Sequence, residues 1–353
     1  MSFENLRAMT KIAALAAISW SLPPRLWRRW HWLQPDRPLR STPPSAVANA
    51  QGPRRGPVTA AWLVEKVLRS AQLIVHFMRH ARDLTPLLFP ARGSSLHRVI
   101  LKRPGTVVIA LTRYLASNWD TRTRVARIVE HHKIVDQIGG LVNCKPNDIV
   151  DLLKLDRIDP RYRLTLDQAD WLMREGSLIF SLWDGADRIF HLGFCLANEN
   201  GRRVAYVGSL QGRRKFDPYG GPFDLLACYR QFTKAASGMR PRDFLVEAFK
   251  MFCNAIDVDE IRAVCNDNQP QRQIDRDIKL SYDAVWSERG GRRNGDGFFS
   301  LPTTWHRRPL DEIPAKKRAR YAQRYAMLDE IDREIRAALC EGNGTAAGYA
   351  AAA

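Results

Sequence analysis

The chain contains no CxxC pair and no cysteine-rich block: Cys144, Cys195, Cys228, Cys253, Cys265 and Cys340 are scattered. That spacing argues against a structural zinc site and against a disulfide framework. Most of the cysteines sit in apolar stretches such as FHLGFCLAN and EAFKMFCNAI, where a reduced thiol behaves as a small core hydrophobe in a cytoplasmic protein. Walker, GxSxG, HExxH and EF-hand patterns are also missing, so nucleotide hydrolysis, serine hydrolysis and zinc or calcium chemistry have no support. Negative charge is scarce as well. Aspartate plus glutamate number 37 against 55 lysines and arginines, which leaves a net charge of +18. An excess of that size calls for a polyanionic neighbour, whether a phosphorylated ligand, an anionic membrane face or nucleic acid. No fold signature that reads nucleic acid accompanies the charge, so a specific nucleic-acid partner is not expected.

A long apolar run is missing too. After Lys11, IAALAAISWSLPP stops at thirteen uncharged residues, where a bilayer-spanning helix needs ~20. As a secretory signal it has a positive start and an apolar centre but is weak on position, because the Ala48-Asn49-Ala50 triplet lies beyond Arg25, Arg28 and Arg29. Trp27, Trp30 and Trp32 interleave with these arginines and suit a headgroup-level anchor. A leader that caps the core, or that takes no fixed structure, suits the same residues. Residues 36 to 57, rich in Pro, Ser, Gly and Arg, form a linker. The chain therefore divides into a basic leader with its linker (1–57), a helical region (58–150), an α+β region with a C-terminal helix (151–341) and a disordered tail (342–353).

What is present is ordinary globular material, with 45% hydrophobic residues. Between 58 and 150 the apolar residues recur at helical spacing. In RTRVARIVEHHKIVDQIGG they place Val125, Ile128, Val129, His132, Val135 and Ile138 on one face. Arg122, Arg124 and Arg127 fall mostly away from that face, as a solvated surface or a basic patch. His131 and His132 are adjacent and point in different directions, so one buried and one exposed histidine is expected rather than a metal pair. The period then changes: SLIFSLWDG, DRIFHLGFCLAN and RRVAYVGSLQG predict an antiparallel meander of three strands. Helices are predicted over 222–237 and from Pro241 to about Ile256, followed by the strand EIRAVCN and a last short strand GFFSLP. A long amphipathic helix closes the pattern, with Tyr321, Tyr325, Leu328, Ile331, Ile335 and Leu339 as its stripe. Its first turns carry Lys316, Lys317, Arg318 and Arg320, opposite to the dipole preference.

The joint TKAASGMRPRDFL, together with YVGSLQG, YDAVWSERGG, GFFSLP and RRPLDEIPAKKRARYAQRYAMLDEI, resembles the VirK/YbjX family of Gram-negative bacteria over roughly residues 60 to 340. The resemblance implies a role in envelope physiology or virulence, including resistance to cationic antimicrobial peptides, and no particular reaction. The reduced cysteines make the expected location cytoplasmic, and the leader adds a peripheral place on the inner membrane.

The order of elements is similar to the core of the GNAT acyltransferases, giving an α+β expectation: a helical N-terminal half, a mainly antiparallel GNAT-like sheet flanked by helices, and the long C-terminal helix. In that fold a strand-to-helix turn receives the pyrophosphate of acyl-coenzyme A. A positive helix end and free backbone N–H groups favour a phosphate. By this resemblance Gly238, Met239, Arg240 and Arg242 form the cradle, Lys234 adds charge, and Asn266 and Tyr282 lie nearest the thioester. Tyr282 would protonate the departing thiolate, with Glu175 or Asp283 as base. A second turn, Gln211 and Gly212 through Lys215, competes for the phosphate because a helix is inserted after YVG. Gly238 as a C-cap before Pro241 is equally the ordinary way to join two helices. The remaining class is a non-catalytic basic protein that meets an anionic lipid, a lipopolysaccharide precursor or nucleic acid.

Overall fold

The computed structural model describes residues 71–213, 224–272, 280–305 and 307–350, with side chains as far as Glu341. The leader, its tryptophans and the linker lie outside the described residues, as do Arg214 and Lys215 of the second candidate turn. Among the described residues no helix is long and apolar enough to cross a membrane.

Residues 71–79 are helical, and short helices α1 (Ala81–Leu88), α2 (Ser95–Lys102) and α3 (Gly105–Thr112) lead to the long α4 (Thr121–Ile138). Asp120 starts α4 by accepting the Thr123 N–H at 2.7 Å. Strands β1 (Ile149–Lys154) and β2 (Tyr162–Asp167) follow, then β3 (Leu178–Asp184), β4 (Asp187–Glu199) and β5 (Arg202–Gly212). Helices α5 (Leu225–Ala235) and α6 (Pro241–Ala255) precede β6 (Glu260–Val264), α7 (Tyr282–Glu288), β7 (Arg292–Arg293), β8 (Phe298–Leu301) and α8 (Ala315–Ala350). The helix α8 continues past residue 341, where the sequence reading ends it.

All eight strands form one sheet in the order β1-β2-β3-β4-β5-β6-β8-β7. Every neighbouring pair is antiparallel except β5 and β6. The meander β3-β4-β5 is the one that the alternation predicts. The hairpin β1-β2 corrects the sequence reading, which starts the strands at Ser177. Its segment IVDLLKLDRIDPRYRLTLD is dense in charge, and Asp167 is tolerated inside because Arg188 pairs with it at 2.8 Å.

The core fills both faces of the sheet. On one face Phe180 and Phe194 meet Phe249 and Phe252 of α6, with Phe194 and Phe249 edge to face at 4.9 Å. The expected stripe of α8 is buried from Tyr325 to Leu339, and α8 packs on α6 and β1. On the other face α4 lies along β4. There the histidine expectation fails, because His131 and His132 are both buried. Both sides of α4 are covered: His131 Nδ1 accepts the Leu196 N–H at 3.0 Å, while His132 Nδ1 lies 2.9 Å from Ser95 Oγ of α2. Arg127 is no surface charge either. It is half-buried between Glu130 and Glu199, over the Tyr206 ring. Cys144, Cys195, Cys228, Cys253 and Cys265 are buried free thiols, and Cys340 is exposed.

Candidate functional site

The parallel pair β5-β6 holds together only from Val204–Glu260 to Val207–Ala263. Beyond Val207, β5 runs on to Gly212 with β4 as its ladder partner. The freed edge of β5 faces α7, and the Leu210 N–H donates to the Tyr282 hydroxyl at 3.3 Å. An opened strand edge is a place where an extended polar chain can add.

Tyr282 is set there by a lock between the end of β6 and the start of α7. Asn266 Oδ1 accepts the Tyr282 N–H at 2.8 Å, Asn266 Nδ2 donates to Ser281 Oγ at 3.0 Å, and the Asn266 N–H donates to Asp283 Oδ1 at 2.7 Å. Tyr282 and Trp286 are both buried, with ring centres 5.9 Å apart, so their spacing also serves the core. Burial, then the charge of Glu175, push the Tyr282 hydroxyl well above its usual range. It is a proton donor, not a phenolate, at neutral pH.

Glu175 comes from the segment that crosses the sheet before β3. Its carboxylate accepts a hydrogen bond from Gln211 Nε2 at 2.6 Å. The crossing is that close because glycines remove two side chains. A Cβ on Gly208 would lie 2.1 Å from the Glu175 carbonyl oxygen and 2.9 Å from Leu115 Cγ; one on Gly176 would lie 2.2 Å from the Phe194 amide nitrogen. Since the obstacle at both is backbone, Gly208→Ala should cost about 3 kcal/mol, the upper end of overpacking penalties. A urea midpoint displaced accordingly supports this geometry, whereas a change below about 0.5 kcal/mol, the size of an ordinary surface effect, would contradict it.

The structure thus brings together Tyr282, Glu175 and Gln211 around the opened edge. Asp283 is occupied by the Asn266 amide and by Arg293 at 3.4 Å. Gly212 is where α5 approaches β5, since a Cβ there would lie 2.5 Å from the Tyr229 hydroxyl.

The Gly238 joint lies at the start of α6. Gly238 has φ +79° and its N–H closes α5 on Thr233 O at 2.7 Å. Met239 is buried, and Arg240 and Lys234 are exposed. Arg242 is held by Asp243 at 3.0 Å and by Glu288 of α7 at 2.9 Å, which ties the joint to the helix that begins with Tyr282. Two arginines of α8 join it. Arg324 donates to the Ser237 carbonyl at 2.9 Å, and the Arg320 guanidinium would lie 3.3 Å from a Cβ on Gly238.

Sequence reasoning misses Arg320 and Arg324 as partners of the joint, and it misses a buried polar row on β3, β4 and β5. Ser181 pairs with His191, His191 with Gln211, and Gly193 with Ser209. The available signal was one polar residue at an inward position of each buried strand, in SLIFSLW, FHLGFC and YVGSLQG. Among the described residues no group of histidine, cysteine and carboxylate side chains could hold a metal ion.

Comparison with known proteins places this architecture among sequences without an assigned reaction. A family model described as "Protein of unknown function (DUF535)" matches residues 64–337. The chain is similar to an uncharacterized protein, YbjX, of Escherichia coli strain K12, with 26% identity over 249 residues covering 67% of this chain and 73% of that protein. Two uncharacterized proteins of Haemophilus influenzae are each 25% identical. One matches over 228 residues, 64% of this chain and 74% of its own length; the other over 187 residues, 52% and 59%.

Proposed function

The chain belongs to the DUF535 family, and on that premise we propose that it is a coenzyme A thioester-dependent acyltransferase that serves the bacterial cell envelope. The observation that carries the reading is the opening between β5 and β6 with Tyr282 at its edge. The strand order also supports it: three antiparallel strands, a parallel neighbour reached through helices, and a final antiparallel pair resemble the GNAT core. A pantetheine arm carries two amides and can pair with the freed edge of β5 as an added strand would. The phosphates are then met by the cations of the joint, Arg240 and Lys234 with Arg320 and Arg324 behind them.

In this reading the acyl carbonyl lies near Tyr282, whose hydroxyl keeps its proton at neutral pH. Attack on the thioester breaks the C–S bond, and Tyr282 protonates the departing thiolate. Glu175, held by Gln211, supplies the fixed negative charge beside it. Tyr282→Phe should therefore lower turnover by 10²-fold or more while thioester affinity stays within about twofold. A variant with full turnover would remove Tyr282 from the chemistry.

The donor itself is tested by melting. Millimolar acetyl-coenzyme A should raise the melting temperature by mass action, and Arg240→Glu should abolish the rise with the fold intact. Unchanged melting of the wild type across a panel of coenzyme A thioesters would sink the reading. A non-catalytic partner, an anionic lipid or a lipopolysaccharide precursor, is favoured instead by the exposed Lys316, Lys317, Arg318 and Arg320 at the start of α8. Such binding would be lost at high salt and indifferent to Tyr282→Phe.

A further inference from the structure

His191 touches the Gln211 side chain, and the rest of the polar row beneath the site is left without partners. Ser181 and Ser209 are 0% exposed and His191 is 5% exposed. Yet Ser181 Oγ, Ser209 Oγ and both ring nitrogens of His191 make no hydrogen bond among the described residues that meets normal geometry. Leaving one such group unsatisfied is already costly, and here four atoms on neighbouring strands share the condition. Their registers place them side by side: Ser181 opposite His191, His191 opposite Gln211, and Ser209 opposite Gly193, where Ser209 Oγ and the Glu175 carbonyl pack closely on the glycine. Gln211 is also the residue that holds Glu175, so the row is continuous with the site at the opened edge. Trp171, itself 55% exposed, covers His191 edge-on at 4.9 Å.

We propose that this row is the acceptor subsite of the transfer reaction, and that it receives a neutral hydroxyl group, so that the product is an ester. The inference rests on the acyltransferase reading above. The chemistry of the row selects the hydroxyl. Serine hydroxyls and a neutral imidazole both give and accept hydrogen bonds, as an alcohol requires. An ammonium is disfavoured, because burial and the nearby Arg188 hold His191 in its neutral form, with its pKa pushed down to about 3. The same positive charge opposes a second cation.

The step balances as follows. The alcohol oxygen adds to the thioester carbonyl carbon and its proton passes to His191. The C–S bond then breaks with its electron pair on sulfur, and Tyr282 protonates the thiolate. Solvent returns a proton to Tyr282 and removes the one on His191. A weakly basic imidazole suffices, because the oxonium formed as the alcohol adds is far more acidic than an imidazolium.

The test uses the full chain with acetyl-coenzyme A as donor and either glycerol or methylamine as probe acceptor. Thiol release, product mass and donor affinity by calorimetry are read together. The expected result is glycerol-dependent thiol release with acetylglycerol as product. His191→Gln should reduce that rate about 100-fold with donor affinity unchanged. Ser181→Ala should reduce it about tenfold while the melting temperature stays level or rises, since removing an unsatisfied buried hydroxyl relieves a cost. A hydroxyl with a merely structural partner would lower the melting temperature instead, and it keeps the proposal falsifiable if His191→Gln does not fold. Acetyl transfer to methylamine alone, a His191→Gln rate within twofold of wild type, or donor binding without glycerol-dependent release would each overturn the subsite. Absence of donor binding in the wild type would instead overturn the acyltransferase reading on which it rests.

Discussion

Acidification from pH 6.5 to about 4 should unfold the protein, with stability falling by about 4 kcal/mol per pH unit once well below pH 6.5. The cause is His131, His132 and His191, all fully enclosed. Burial, followed by the neighbouring Arg98 and Arg188 respectively, pushes His132 and His191 down to about 3. Burial, then His132, puts His131 well below the ordinary value. Unfolding releases each ring to water, where it titrates near 6.5. Below that pH the unfolded chain binds more protons than the folded one, so the folded state loses ground until the folded pKa values are reached. Each histidine contributes a slope of about 1.4 kcal/mol per pH unit. Two such units remove about 8 kcal/mol, most or all of a stability in the lower and middle part of the roughly 5–15 kcal/mol range typical of a domain. Urea titrations at half-unit steps check the slope, and His191→Gln should lower it by about a third. Stability that stays flat from pH 7 to pH 5 would contradict the buried placement of these rings.

Glu247→Ala should cost about 3–5 kcal/mol, the range for breaking a buried ion pair from one side. Lys250 and Glu247 of α6 are 0% and 2% exposed, and Lys250 Nζ lies 3.3 Å from the Glu247 carboxylate. Lys250 also donates to the Arg289 carbonyl at 3.1 Å, while the Arg289 guanidinium approaches both Glu247 and Asp243 at 3.6 Å. These bonds pin the end of α7 to α6 and so hold Tyr282 toward β5. Removing the carboxylate strands an ammonium in the core, whose pKa is already lowered by burial. The double replacement Glu247→Leu with Lys250→Met should recover most of the loss, because an apolar pair of similar volume has no desolvation penalty. Chemical denaturation of the two variants separates the cases; equal losses in both would mean that shape, not charge, is decisive.

Much of this fold is written in short-range pattern. The stripe from Tyr325 to Leu339 and the alternation in β3, β4 and β5 are legible because burial repeats at the period of the element. β1 and β2 escape that logic. Asp151, Asp167, Arg157 and Arg161 break the run, and what makes Asp167 tolerable is Arg188, a residue on another strand. The pair Glu247 and Lys250 hides in the same way inside VEAFKMF, a helix apolar nearly all round.

The site shows a different limit. Tyr282, Glu175 and Gln211 can be named one at a time from the sequence. Their meeting depends on separations of 36 residues between Glu175 and Gln211 and 72 between Leu210 and Tyr282. Two glycines, Gly176 and Gly208, allow that meeting, and neither is distinguishable in sequence from a turn glycine. His191 was invisible for the opposite reason: inside DRIFHLGFCLAN it reads as one more residue of a buried strand.

Backbone amide NMR of the protein titrated with acetyl-coenzyme A bears most directly on the central claim that a thioester occupies the opening between β5 and β6. Binding there should shift the Leu210 and Gln211 amides saturably, along a single isotherm shared with the Tyr282 amide. Amides of Leu210 and Gln211 that do not move at millimolar acetyl-coenzyme A, or shifts confined to the basic start of α8, would contradict it.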